Sequence, residues 1–242
     1  MTEKVVLITG TSRGIGKAIA AYLRAQGLTV YGSSRGVADV GPYHLQIDIT
    51  DYVSCQSAVD EVDVNFFGVV HMMKAATPVL LKQRSGSILN ISSIGSDVGW
   101  TFNAAYSAGK FALHGYSEAV RRELLPFNIF VSLVSPAGVT SGTTHLSVQR
   151  SAQRHPLFEQ ASKAAFEYSH SGGDLKMAST MEAVAQTVHK AIQAPRPVFM
   201  YRVGFIPRLM TTLKAILPQQ LFEFFVIKVF NIPTRAPDQS KS

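Results

Sequence analysis

A tyrosine and a lysine stand four residues apart, at Tyr106 and Lys110, near the start of a predicted helix over 104–125. Residues at this spacing share one face of a helix, so a phenol and an ammonium group lie side by side. A free tyrosine has a pKa of about 10, and a neighbouring positive charge favours its ionised form. The pair is therefore suited to exchanging a proton with a substrate near neutral pH.

Two serines, Ser92 and Ser93, stand at the carboxyl end of a predicted strand over 87–92. A hydroxyl at that end of a parallel sheet can meet Tyr106 and hydrogen-bond an oxyanion as it forms. Taken alone, the serines are an ordinary polar strand end, and a Tyr-x-x-x-Lys spacing recurs by chance. Only the combination of the two features indicates catalysis.

A glycine turn, Thr-Gly-Thr-Ser-Arg-Gly-Ile-Gly at 9–16, joins a predicted strand over 4–9 to a predicted helix over 15–26. Glycines allow the backbone to approach a pyrophosphate, and the helix start supplies N–H donors. A phosphate loop of the NTPase type needs four residues between its glycines, whereas five separate Gly10 from Gly16. The turn therefore predicts dinucleotide binding, and a glycine turn without a ligand is the alternative.

The residues after the second predicted strand, over 28–32, favour NADP(H) over NAD(H). An acid at this position hydrogen-bonds a ribose 2′-hydroxyl, whereas an arginine accommodates a 2′-phosphate. The chain reads Tyr-Gly-Ser-Ser-Arg at 31–35 with no acid before Asp39, and Arg13 lies inside the glycine turn. The alternative is that Arg13 and Arg35 are simply solvated.

Alternating strands and helices supply the positions for these groups. Apolar β-branched runs and helical periodicity alternate along the chain, which predicts a parallel, doubly wound α/β sheet of the Rossmann type. The remaining predicted strands cover 43–49, 129–134 and 197–201, and the remaining helices cover 52–61, 63–83, 150–168 and 180–193.

One interval is too short for this pattern. Between Asp48 and Ser87 lie 38 residues that contain two helical segments and no strand between them. A strand-helix-strand unit takes roughly 30 residues, so two units do not fit. The sheet is predicted to lack its fourth strand, with the break near 61–63.

Composition sets the class of protein. The 242 residues are 46% hydrophobic and 16% charged, which is typical of a compact globular chain. A single cysteine and no signal-peptide pattern predict a cytoplasmic location, and the seven histidines show no metal-ligand spacing, so no metal is expected. The net charge of +7 lies mostly in 196–242, with seven basic and two acidic residues. No basic stripe with interleaved aromatics is present, which disfavours nucleic-acid binding.

Together these motifs resemble the short-chain dehydrogenase/reductase family over about residues 4–200. The matching segments occur in the family's order and are highly specific as a set. They are Thr-Gly-x-x-x-Gly-Ile-Gly at 9–16, Asp48 in Ile-Asp-Ile-Thr, Asp-Val-Asn-Phe-Phe-Gly at 63–68, Asn-Ile-Ser-Ser at 90–93, Tyr-x-x-x-Lys at 106–110 and Ser-Pro-Ala-Gly-Val-Thr at 135–140.

The resemblance implies an oxidoreductase that interconverts a carbonyl and an alcohol by hydride transfer. It implies that Tyr106 is the acid/base, that Lys110 contacts the nicotinamide ribose and that Ser93 positions the substrate oxygen. Asn65 would hold a water linked to Lys110. The expected cofactor contacts are Gly10, Ser12, Arg13, Gly14, Ile15, Gly16, Ser34, Arg35, Asp48, Ile49, Tyr106, Lys110, Pro136, Gly138, Val139 and Thr140.

The chain departs from the family at the predicted gap. The family's Asn-Asn-Ala-Gly strand is missing, and in the order 3-2-1-4-5-6 this strand lies beside the first one. Either the sequence omits residues or it carries a deletion. Without the strand, 87–92 must pair with the first strand or the chain folds poorly, with weak cofactor binding. A catalytically silent dinucleotide-binding or interaction protein is therefore the second hypothesis.

Apolar residues suggest a lipophilic substrate and an attached tail. Trp100, Phe102 and Leu146 lie in regions that cover the substrate in the family, although a core role is equally compatible with them. We divide the chain into a catalytic domain over 1–204 and an amphipathic basic helical tail over 205–242, similar to retinol- and hydroxysteroid-dehydrogenase-like members. The stripe over 206–230 is expected to pack on the domain, with an anionic membrane surface, a cover over the substrate and a subunit contact as alternatives. A homodimer or homotetramer is expected.

Overall fold

The computed structural model describes residues 4–34, 44–46, 63–100, 104–137, 139 and 179–229. Strands and helices alternate through these residues. The strands are β1 (Val5–Thr9), β2 (Thr29–Ser34), β3 (His44–Gln46), β4 (Gly86–Ile91), β5 (Ile129–Pro136) and β6 (Met200–Val203). The helices are α1 (Gly14–Ala25), α2 (Gly68–Gln83), α3 (Ala104–Leu124), α4 (Met181–Gln193), α5 (Phe205–Ile216) and α6 (Gln219–Val229), and a π-helical turn over Asp63–Phe67 precedes α2.

The observed elements follow local sequence signals. The eight residues of β5 are all buried, as expected for a strand covered on both faces. Helix α4 begins where the Thr180 hydroxyl accepts a hydrogen bond from the Ala183 amide at 3.1 Å. Asn128 adopts the left-handed conformation, with φ 59°, in the turn before β5. The predicted helices over 52–61 and 150–168 lie outside the described residues.

The strands form two parallel sheets of three strands each, in the orders β1-β2-β3 and β4-β5-β6. Val5 to Thr9 lie opposite Thr29 to Ser33, and Gly86 to Ile91 lie opposite Ile129 to Val134. Within the described part of the chain, β1 pairs only with β2, and β4 pairs only with β5. The described strands therefore do not show the first of the two expected alternatives, in which 87–92 pairs with the first strand.

One hydrophobic core nevertheless joins the two sheets. Helices α1 and α4 pack against each other, so that Leu23 of α1 and Val188 of α4 belong to one cluster with Val30 of β2 and Val134 of β5. The Lys4 ammonium donates a hydrogen bond to the Ile192 carbonyl at 2.8 Å. In the described residues, the two sheets are therefore joined by helix packing and not by hydrogen bonds between β1 and β4.

The outer face of β1 is uncovered, and this gives a stability prediction. Leu7 is 48% exposed, whereas Leu23 of α1 is fully buried. We expect Leu7→Ala to cost at most about 0.5 kcal/mol of unfolding free energy, and Leu23→Ala to cost about 2–5 kcal/mol. Urea unfolding of the two variants measures both values. Similar losses for the two leucines would mean that the outer face of β1 is covered.

Helices also cover the second sheet and continue into the tail. Met73 of α2 and Leu124 of α3 pack with Ile129 and Val131 of β5. Helices α5 and α6 bury Met210 and Phe222 against the turn after β4, so the described part of the apolar stripe packs on the rest of the protein as expected. Within the described residues, no helix combines the length and the apolar composition needed to cross a bilayer.

Candidate active site

The turn after β4 positions Ser93. The Ser92 amide donates to the Val134 carbonyl at 2.8 Å, and the chain then leaves the sheet in a 3₁₀ turn over Ile94–Ser96. The Ser93 hydroxyl oxygen accepts a hydrogen bond from the Gly95 amide at 3.1 Å. Because the oxygen is the acceptor in this bond, its hydrogen is still available for donation to a substrate oxygen. The turn thus fixes a hydroxyl donor at the carboxyl end of β4.

Tyr106 lies beside the same turn, in the first turn of α3. A Cβ atom on Gly95 would lie 3.0 Å from Tyr106 Cε1 and 3.3 Å from Trp100 Cδ1. The phenol ring therefore packs closely over the backbone of Gly95, two residues beyond Ser93. A larger residue at this position would have little room for its side chain. The sequence analysis missed Gly95, whose only signal is its place just after the two serines.

Lys110 is held one helical turn beyond Tyr106. Its side chain is buried, its ammonium donates to the Ile91 carbonyl at 3.1 Å, and its Nζ lies 5.7 Å from the centre of the Tyr106 ring. Burial lowers the pKa of Lys110 from 10.5 to about 8, because a charged amine loses hydration inside the protein. The lysine is still mostly protonated at pH 7, so a positive charge lies beside the Tyr106 ring.

The lowered pKa of Lys110 predicts how stability changes with pH. The unfolded chain binds more protons than the folded chain between pH 8 and 10.5, so the penalty for burying the charge falls as pH rises through this window. Relative to Lys110→Met, the wild type should gain about 2 kcal/mol between about pH 7.5 and 9.5. Denaturant unfolding of both proteins across this range measures the difference. A constant difference would contradict the buried ammonium.

Asn65 lies in the π-helical turn Asp63–Phe67, which packs against α3. The Phe66 ring meets the Tyr116 ring edge-on, with a centroid distance of 5.9 Å, and this contact fixes the turn on the helix. The Asn65 side chain is partly buried. The structure therefore brings the segment of Asn65 to the helix that carries Tyr106 and Lys110.

The glycine turn at the end of β1 has the shape that a pyrophosphate requires. Gly10 and Gly14 have positive φ values of 74° and 58°, and a Cβ on Gly16 would lie 2.3 Å from the Gly10 carbonyl oxygen. The buried Thr11 fixes the turn to β2, since its amide donates to the Ser33 carbonyl at 2.9 Å. The first turn of α1 contains no acidic residue that would oppose an anion.

The end of β2 contains hydroxyls instead of an acid. Ser33 and Ser34 are buried, and among the described residues the Ser33 hydroxyl oxygen has no hydrogen-bond partner. Ser12 and Arg13 are exposed in the glycine turn, and Ile15 is partly buried at the start of α1. The glycine turn fits a dinucleotide, and Thr11, which the sequence analysis did not single out, holds the turn in place.

Some of the other predicted site residues lie within the described ranges, and the rest lie outside them. Pro136 ends β5 and Val139 is buried in the shared core. Trp100 packs with Met210 and Phe222, which places it between the Ser93 turn and the tail helices. Across the described ranges, no cluster of three histidine, cysteine or acidic side chains is arranged for a metal. The residues outside the described ranges are Arg35, Asp48, Ile49, Phe102, Gly138, Thr140 and Leu146.

Solved structures share this fold. A short-chain dehydrogenase from Streptomyces avermitilis is 21% identical, superposes with a TM-score of 0.73, and the match covers 94% of this chain and 98% of that one. A short chain dehydrogenase from Burkholderia cenocepacia, in complex with NADP, is 22% identical with a TM-score of 0.70, covering 92% and 97%. These matches establish the Rossmann-like fold of parallel sheets and flanking helices.

Curated relatives agree with the fold. The 3-ketodihydrosphingosine reductase of Bacteroides thetaiotaomicron is 37% identical over 180 residues, or 60% of this chain and 67% of the relative. The NADPH-dependent 1-acyldihydroxyacetone phosphate reductase of Schizosaccharomyces pombe is 34% identical, covering 57% and 60%. Human retinol dehydrogenase 8 is 33% identical, covering 64% and 51%. The chain thus matches about two thirds or less of the length of these relatives.

The sequence model described as short chain dehydrogenase matches residues 46–154, the part of the chain that carries Ser93, Tyr106 and Lys110. Sequence, fold and the arrangement of these side chains therefore lead to one conclusion: the chain belongs to the short-chain dehydrogenase/reductase family.

Proposed function

We propose that this protein is an NADP(H)-dependent oxidoreductase that interconverts a lipophilic carbonyl compound and its alcohol. One observation carries the proposal: the buried Lys110 ammonium lies 5.7 Å from the Tyr106 ring, and that ring packs on the turn that holds Ser93. An acid/base, a positive charge and a hydroxyl donor are thus gathered at the carboxyl end of β4. Together with a hydride donor, these three groups serve carbonyl reduction, because they protonate the oxygen and stabilise the charge that develops.

Each side chain has a defined part in carbonyl reduction. The Ser93 hydroxyl donates a hydrogen bond to the carbonyl oxygen, and this bond strengthens as negative charge develops there. When bound, the reduced nicotinamide supplies the hydride that the carbonyl carbon accepts. Tyr106 gives its phenolic proton to the oxygen, and Lys110 stabilises the phenolate that remains. Asn65 would hold the water through which Lys110 exchanges protons with solvent. Alcohol oxidation uses the same groups in reverse.

The cofactor is proposed to be NADP(H). The tight turn of Gly10, Gly14 and Gly16 would hold the pyrophosphate, while Arg13 and Arg35 would contact the 2′-phosphate next to Ser34. The NADP-bound Burkholderia structure and the NADPH-dependent Schizosaccharomyces relative support this choice. Asp48 and Ile49 would contact the adenine, and Pro136, Gly138, Val139 and Thr140 would contact the nicotinamide end.

Removing the arginines tests the choice of cofactor. Arg13→Ala and Arg35→Ala should each weaken NADPH binding by about tenfold or more, because each loses a charged hydrogen bond to the phosphate. NADH binding should change little. Calorimetric titration with both nucleotides measures the effect, and Arg122→Ala, which removes an exposed arginine from α3, is the control. An equal loss for the two nucleotides would refute a role for these arginines at the 2′-phosphate.

The substrate is proposed to be a lipophilic carbonyl or alcohol such as a steroid, a retinoid or a long-chain aldehyde. The names of the relatives, which include a ketosphingosine and a retinol enzyme, support this class, as do the apolar Trp100, Phe102 and Leu146. We propose a cytoplasmic homodimer or homotetramer. Following absorbance of NADPH with a panel of lipophilic and short polar carbonyl compounds tests the proposal, which requires turnover of a lipophilic member.

A second candidate function rests on the divided sheet. Because β1 and β4 do not pair, the glycine turn and the catalytic side chains lie on separate sheets. A chain of this kind could bind a dinucleotide or a partner without turnover, and it would show weak NADPH affinity and a low melting temperature. Intact-mass measurement of the natural protein separates the two candidates. A mass well above 26.3 kDa would indicate further residues and favour the enzyme.

A further inference from the structure

Four large apolar side chains are exposed on the two tail helices. We term them the outer apolar face. The members and their exposed fractions are Phe205 at 71% and Ile216 at 68% on α5, and Leu221 at 56% and Phe224 at 60% on α6.

The outer apolar face points away from the protein core. Helix α5 buries Met210, and α6 buries Phe222, in one cluster with Ile94 and Val98. Phe205 and Ile216 are eleven residues apart, close to three helical turns, so they share the side of α5 opposite Met210. Leu221 and Phe224 are likewise neighbours on α6. Both helices therefore present apolar groups on the side that the domain leaves uncovered.

Positive charge lies next to these apolar groups. Arg208 is exposed one turn after Phe205, and Lys228 Nζ lies 5.7 Å from the centre of the exposed Phe224 ring. Lys214 is turned toward the domain, where its ammonium donates to the Asp97 carbonyl. Glu223 is the one acidic residue within α5 and α6, and residues 196–242 contain seven basic and two acidic residues, a net charge of +5.

We propose that the outer apolar face binds the surface of an anionic lipid bilayer. Phe205, Ile216, Leu221 and Phe224 enter the boundary between headgroups and acyl chains, while Arg208 and Lys228 contact lipid phosphates. Charge favours this partner over a second copy of the chain. A symmetric contact through this face would bring the cations of both copies together, with only Glu223 to offset them.

Docking through this face would place the bilayer one helical layer from the catalytic turn. Ile94, which follows Ser93, belongs to the same cluster as Met210 and Phe222. If the proposed function is correct, a lipophilic substrate reaches the site from the membrane. Membrane binding itself does not depend on redox activity, so it is measured without cofactor or substrate.

Vesicle flotation of the whole protein tests the proposal. Vesicles of phosphatidylcholine, with or without phosphatidylserine, are compared at low and high salt. We expect binding to the anionic vesicles that falls at high salt. Phe224→Ser combined with Ile216→Ser should lower partitioning by about tenfold or more, because two apolar contacts are lost. Arg208→Gln with Lys228→Gln should remove the preference for anionic vesicles.

Val79→Ser is the matched control, since Val79 is 56% exposed on α2, away from the tail. It should bind vesicles like the wild type, and circular dichroism confirms that each variant is folded. Three results would overturn the proposal: no binding of folded wild type to anionic vesicles, equal losses for the control and the outer-face variants, or sedimentation showing a dimer that only the outer-face variants lose. The last result would identify the occupant as a second copy.

Discussion

Tyr106→Phe is expected to lower kcat by about 100-fold or more, because the reaction loses its proton donor and acceptor. The phenylalanine ring retains the contact with Gly95, where Tyr106 Cε1 approaches the backbone, so the fold and the position of Ser93 are preserved. NADPH affinity should change by much less than kcat. Initial rates of NADPH oxidation with a substrate found in the carbonyl panel, together with NADPH titration, measure both quantities.

Tyr116→Phe is the control for this substitution. Tyr116 lies on the same helix, partly buried, with its ring against Phe66. The variant should keep kcat within a few fold of the wild type. Tyr116 lies ten residues after Tyr106 on α3, so the hydroxyl that is removed is distant from the site. An unchanged rate for Tyr106→Phe would remove the proposed mechanism.

Gly16→Ala is expected to disrupt the cofactor site. The new Cβ would lie 2.3 Å from the Gly10 carbonyl oxygen and 2.8 Å from the Gly10 carbonyl carbon, and both of these are backbone atoms. The turn must shift, at a cost of about 1–3 kcal/mol of stability. A displaced pyrophosphate cradle should reduce kcat/KM by about 100-fold, since an error of about 1 Å in position has that effect. Steady-state kinetics and thermal unfolding measure the two losses.

Gly115→Ala provides the matched control. Gly115 is exposed on α3, and a Cβ there would meet no atom within 4 Å. Alanine is the better helix former by roughly 0.5–1 kcal/mol, so this variant should be slightly more stable and fully active. Equal kinetics for Gly16→Ala and Gly115→Ala would show that the glycine turn does not hold the cofactor.

Most element positions could be predicted from local patterns. The helix predicted over 104–125 is observed as Ala104–Leu124, and the one over 180–193 as Met181–Gln193. Amphipathic periodicity, and Thr180 as the residue that caps the start of the second helix, are local signals in the sequence. The alternation of strand and helix patterns likewise predicted parallel sheets with flanking helices. Spacing along the chain was sufficient for these conclusions.

Contacts between distant segments could not be predicted in the same way. The Ile91 carbonyl that holds Lys110, the Thr11 amide that ties the glycine turn to β2 and the close approach of Tyr106 to Gly95 all depend on tertiary packing. Backbone atoms have no sequence signature. The packing of α1 on α4, which holds the two sheets together without strand pairing, is also a contact between distant segments. The sequence alone therefore did not predict it.

Transfer of a labelled hydride tests the proposed reductase most directly. The natural protein is incubated with a lipophilic carbonyl compound and NADPH carrying deuterium at C4 of the nicotinamide. Mass spectrometry of the alcohol then reports whether deuterium has reached the carbinol carbon. We predict a product heavier by one mass unit with wild type and none above background with Tyr106→Phe. Bound NADPH without any labelled alcohol from the wild type would contradict the proposed function.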